Sequence, residues 1–132
     1  MYSARIAAYI CPLAMFAACA TTPRVEHSPA GIAVDPEVLA AAKEVHFDYM
    51  KQLARAERGD VHALVALIEL SARIGHSAAG SEQHGDILLA VRHRVGGIAF
   101  TQAIHRASPE ARHAATLDLE VAEENEKLLQ DR

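Results

Sequence analysis

Gly59-Asp60-Val61-His62-Ala63-Leu64-Val65-Ala66-Leu67-Ile68-Glu69-Leu70, running on to Gly75, is the stretch that decides the fold class. Gly59 stops whatever helix precedes it, and Asp60 offers a carboxylate to the first free amides of a new one. Val61, Leu64, Val65 and Ile68 then recur three and four residues apart, which is one face of a helix, while His62, Glu69 and Arg73 fall on the opposite face. Leu67 and Leu70 widen the apolar side. A helix so patterned is expected to be covered by two neighbours, and the neighbours must come from the rest of the chain.

Towards the N-terminus, Asp35-Pro36-Glu37 opens a helix: an acid to cap, a proline that has no amide to lose, and a second acid at the positive helix end. Val38, Ala42, Val45, Tyr49 and Leu53 predict one continuous helix of about 22 residues ending at Arg58. Beyond Gly75, the small residues at 77–80 read as a loop. A third helix is expected over Glu82–Val95, with Ile87, Leu88, Val91 and Val95 inward, and Gly96-Gly97 ends it. Ile98, Phe100, Ala103 and Ile104 are the inward candidates of a fourth helix ending at Arg106. Ser108-Pro109-Glu110 repeats the opening signal and launches a last helix, Pro109–Gln130. Its stripe is Ala114, Leu117, Val121 and Leu128, broken by Glu124, so its second half is expected to be wet, with Leu128 and Leu129 left as a small contact site or a frayed end.

After residue 31 no alternating β-branched run occurs, so the expected architecture is all-α: four to five short-linked helices as an irregular bundle or a small helical-repeat stack. The repeat alternative rests on Gly59-Asp60-Val61 recurring as Gly85-Asp86-Ile87. Arg58-Gly59-Asp60 spells an adhesion tripeptide, but stopping one helix and capping the next accounts for it.

The first residues form a separate unit. Met1 to Arg5 carries one positive charge, Ile6 to Ala18 carries none, and the apolar run is shorter than the roughly 20 residues a membrane span needs. It ends on Phe16-Ala17-Ala18-Cys19. A small-residue pair ending on cysteine resembles the lipobox of bacterial lipoproteins, with Phe16 where that class usually has Leu. The resemblance covers the first 19 residues and implies removal of residues 1–18 and acylation of Cys19 with palmitate-type chains; residues 19–34, with Pro23, Pro29 and Gly31 and no period, read from their own composition as a flexible tether to the helical domain over 35–132. Ala20 stands where an Asp often retains such proteins at the inner membrane, so the resemblance implies the outer membrane, periplasmic face, as destination. His27, in the tether, reads as solvated.

The chain of 132 residues carries 13 Lys and Arg against 17 Asp and Glu, a formal charge of −4. Removing residues 1–18 takes away Arg5 and Cys11, which leaves an acidic body whose cysteine is the lipidated one. That balance argues against nucleic acid as a partner, because phosphate binding draws on clustered cations. Acyl chains, rather than charge, would hold it to lipid.

Chemistry is sparse. His76, Glu82 and His84 are the candidate ligands for a divalent metal, but the chain lacks a His-Glu-x-x-His arrangement, and a helix-start histidine with a local hydrogen bond explains His84. Serines lack a nucleophile setting, with Ser81 and Ser108 read as helix caps, and no cofactor is called for. His105 and His113 flank the Ser108 turn as surface residues. The candidate interface joins Lys51, Arg55 and Arg58 to Leu128 and Leu129. Two readings result: a lipid-anchored, non-enzymatic module that binds an envelope protein, or a periplasmic small-ligand or metal-binding module using the loop histidines.

Overall fold

The computed structural model describes residues 22–75 and 78–132. Six helices and one small hairpin make up the described residues: β1 (Glu26–His27), β2 (Ala33–Val34), α1 (Pro36–Glu44), α2 (Tyr49–Ala56), α3 (Val61–Arg73), α4 (Ala78–Val95), α5 (Gly97–Arg106) and α6 (Pro109–Gln130). The domain is an all-α bundle, as the patterning predicts. It is built around α3, which packs against α2, α5 and α6, while α4 packs against α6 and α1. In a repeat stack each unit touches only its sequence neighbours, and α3 does not behave so. Leu64, Leu67, Ile68 and Leu70 of α3 are buried, and Asp60 caps it by accepting from the His62 and Ala63 amides at 3.0 and 3.2 Å.

The expected single helix from Asp35 to Arg58 is two. After Glu44 the chain closes a turn in which the His46 amide donates to the Lys43 carbonyl (3.0 Å) and the Phe47 amide to the Ala42 carbonyl (2.9 Å). This paired closure needs a left-handed residue, and His46 supplies it at φ 55°. Asp48 then caps α2 by accepting from the Lys51 amide. Arg73, at the end of α3, donates to the Val45 carbonyl at 2.6 Å and holds the corner from below. At the other end of α2 the same closure recurs with Gly59 at φ 83°: the Gly59 amide donates to Ala56 and the Asp60 amide to Arg55.

Three smaller differences lie at helix starts. The Asp35 side chain makes no capping bond, and its backbone carbonyl accepts from Val38 and Leu39 instead. Helix α4 starts at Ala78, so Ser81 lies inside it rather than at its cap. Ile98, expected inward, is 81% exposed.

Residues 26–34, expected as tether, fold back as an antiparallel hairpin with Glu26 opposite Val34. Val34 joins the core. The hairpin turn is clamped by Glu57, a buried carboxylate just past α2, which accepts from the Ser28 hydroxyl and from the Ala30 amide (3.2 Å). Ser28 Oγ in turn accepts from the Ile32 amide at 3.0 Å.

Helix α6 keeps Ala114 inward and its second half wet, as expected, but is turned so that the other members of the expected stripe face solvent. Its buried side chains are Ala111, Ala114, Ala115, Leu119 and Ala122, whereas Leu117, Val121 and Leu128 face solvent. The close crossing with α4 explains the choice of small residues. A Cβ built on Gly85 of α4 would lie 2.5 Å from the Asp118 carbonyl oxygen of α6. Gly85-Asp86 therefore sits at a mid-helix crossing and Gly59-Asp60 at a helix junction, so the two tripeptides are not equivalent parts of a repeat.

Candidate functional site

His84 is the most enclosed polar side chain of the domain, with no solvent exposure. Helix periodicity places it inward, in line with Leu88 and Val91 on α4, but its hydrogen bonds are not local. Nε2 lies 3.0 Å from the Leu67 carbonyl of α3 and Nδ1 2.7 Å from the Tyr49 hydroxyl of α2. A carbonyl only accepts, so Nε2 carries the proton and Nδ1 accepts from Tyr49. The two rings meet edge-on at 5.7 Å, with Phe47 edge-on to Tyr49 at 6.1 Å. Burial holds the imidazole neutral by lowering its pKa from 6.5 to about 4, against a small opposing pull from the Leu67 carbonyl. Burial also raises the Tyr49 phenol.

That arrangement ties three helices together and leaves neither ring nitrogen of His84 for a metal. Of its expected co-ligands, Glu82 is exposed and His76 lies outside the described residues. Asp86, two residues along, has its carboxyl raised by partial burial first and then by Glu82 and Asp35. Among the described residues no group of three or more His, Cys, Asp or Glu converges as a metal site.

The cationic half of the expected interface is divided. Arg55 is engaged: its Nε and Nη2 donate to Asp60 Oδ2 at 2.9 and 2.7 Å, and this contact, with the amides Asp60 caps, holds the Asp60 carboxyl below its ordinary range. Lys51 and Arg58 are exposed. The apolar half, Leu128 and Leu129, is 59% and 72% exposed at the far end of α6. The chief neighbours of α6 are α3 and α4, not α2, so the fold does not pair the two halves through a helix contact.

The surface that sequence reasoning missed is the outer face of α6. Leu117, Val121 and Leu128 form an apolar stripe there with acids beside it, and beyond Glu123 every residue of the helix is exposed. The inner face is held firmly. Glu69 of α3, expected on a wet face, accepts from the Ser108 amide (2.6 Å) and hydroxyl (2.9 Å) at the start of α6, while Ser108 caps Ala111. Arg92 of α4 pairs with Glu123 at 2.7 Å. Beside this contact lies a shallow groove of about 280 Å³ between α4 and α6, reaching from Asp86 to Leu129. A signal was present in the sequence: the alanines of α6 follow helical spacing as closely as its leucines do.

Cys19, the expected lipidation residue, lies outside the described residues. Among those described, no helix is long and apolar enough to cross a membrane. Comparison with known proteins returns no matching family, curated protein or solved structure.

Proposed function

We propose that this chain is a lipid-anchored, periplasm-facing binding module without enzymatic activity, with Cys19 as the acylated residue and the outer face of α6 as its docking surface. One observation carries the docking half of the reading. Helix α6 turns Leu117, Val121 and Leu128 to solvent, while the side chains it buries are four alanines and Leu119. Leaving such side chains in water forgoes roughly 25 cal/mol for each Å² of apolar surface, which a partner recovers on binding. The anchoring half is supported by the lipobox resemblance of Phe16-Ala17-Ala18-Cys19.

Metabolic labelling with radioactive palmitate, followed by mass spectrometry of the purified protein, tests the anchor. The expected product is labelled and begins at an acylated Cys19, and Cys19→Ser is unlabelled. A mature chain beginning elsewhere, or unlabelled wild type, refutes it.

A further inference from the structure

We propose that the occupant of the outer α6 face is a second copy of this chain, bound with the two α6 helices antiparallel. This deepens the docking reading above and is independent of the lipid anchor.

Two observations carry it. First, α6 buries no side chain beyond Ala122; its last two turns meet the domain only across the open groove against α4, where Glu126 lies 3.6 Å from His93, and their other side is left to solvent. Helical stability in proteins comes mostly from packing of an amphipathic face, and a partner helix would supply that packing on the solvent side. Second, the apolar positions of the stripe could pair in either direction, but its charges are complementary only when the helices run antiparallel. Leu117, Val121, Glu124 and Leu128 occupy successive seam positions of a heptad pattern, with Glu120 and Lys127 along one flank. Reversing one helix against the other sets Leu117 on Leu128 of the second copy, Val121 on Glu124, and Glu120 beside Lys127, each pair occurring twice about the dyad. Parallel pairing would instead set Glu124 against Glu124 and Lys127 beside Arg132, two like-charge meetings. Glu124 remains the weak point of the seam, a charge in an otherwise apolar line, so the pair is expected to be reversible. The acids along the stripe also disfavour an anionic lipid surface as the occupant.

The test uses the full chain in mild detergent with Cys11→Ser and Cys19→Ser, so that neither native thiol nor the anchor contributes. Chains carrying Leu117→Cys and Leu128→Cys, distinguished by a size tag, are mixed and oxidised. Antiparallel pairing gives the mixed disulfide as the main product, and Glu124→Leu in both chains increases its yield several-fold at equal concentration. Like-with-like disulfides, or no disulfide at concentrations up to the millimolar range, overturn the proposal. Since both cysteines are absent throughout, a failed palmitate experiment leaves this one readable, and a monomer here leaves the anchor untouched.

Discussion

A histidine enclosed where three helices meet gives the fold a built-in acid limit. His84 is neutral in the folded state, with its pKa lowered from 6.5 to about 4, so the unfolded chain takes up a proton that the folded chain refuses. The stabilisation from this group is fully present above about pH 6.5 and is lost as pH falls towards 4. At about 1.4 kcal/mol per pKa unit the loss is on the order of 3 kcal/mol across that window. Urea unfolding at several pH values measures it. His84→Gln is less stable at neutral pH but should show a shallower slope between pH 6.5 and 4, and equal slopes for the two proteins would contradict the assignment. The inward position of His84 is legible in the sequence from its spacing to Leu88 and Val91. Its partners are not, because Tyr49 and Leu67 reach it only through the packing of α2 and α3 onto α4. Glu69 shows the same limit: it reads as an outward residue of α3, and its role at Ser108 exists only once α6 is in place.

At the scale of elements, two helix ends close with the same pair of backbone bonds, and only one announces itself. Gly59 is a familiar stop, whereas His46 takes the left-handed position with a side chain that gives no warning. The stripe Val38, Ala42, Val45, Tyr49 and Leu53 keeps helical spacing straight across the break, so periodicity runs the helix through it. Asp48, an available cap, is the signal that marks the second start. Helix α6 misleads in a different way. Hydrophobic patterning favours large residues as inward, but the gap between α4 and α6 is too narrow for them, and alanine fills it. Gly85 sits at that narrow point, where Ala would bring a methyl carbon to 2.5 Å from the Asp118 carbonyl oxygen. Alanine is the better helix former by about 1 kcal/mol, but overpacking against backbone costs about 1–3 kcal/mol. Gly85→Ala is therefore expected to lower the melting temperature, and a rise would show that the two helices separate easily.

For the molecule as a whole, the buried α3 and its capped start are enough to predict a helical bundle, since a helix apolar on so wide a face must be surrounded. The hairpin was beyond reach of pattern reading: strands of two residues have no period, and what holds them is a carboxylate in a distant turn. That clamp has a specific test. Replacing Glu57 with Ala removes the acceptor for Ser28 and Ala30, and hydrogen exchange at the Ala30 and Ile32 amides should accelerate at least tenfold, with the α3 core amides far less affected. Unchanged protection would mean that Val34 burial alone holds the hairpin.

The Glu57 clamp also sets a leash. With the hairpin beginning at Glu26, the chain between it and Cys19 spans no more than about 25 Å when fully extended. Helix α6, at 22 residues, is about 33 Å long. On the lipid-anchor reading, the domain would be tied closer to the bilayer than the length of its own longest helix. It could pivot but not wander, and a second copy tied to the same bilayer would be met by lateral encounter in two dimensions.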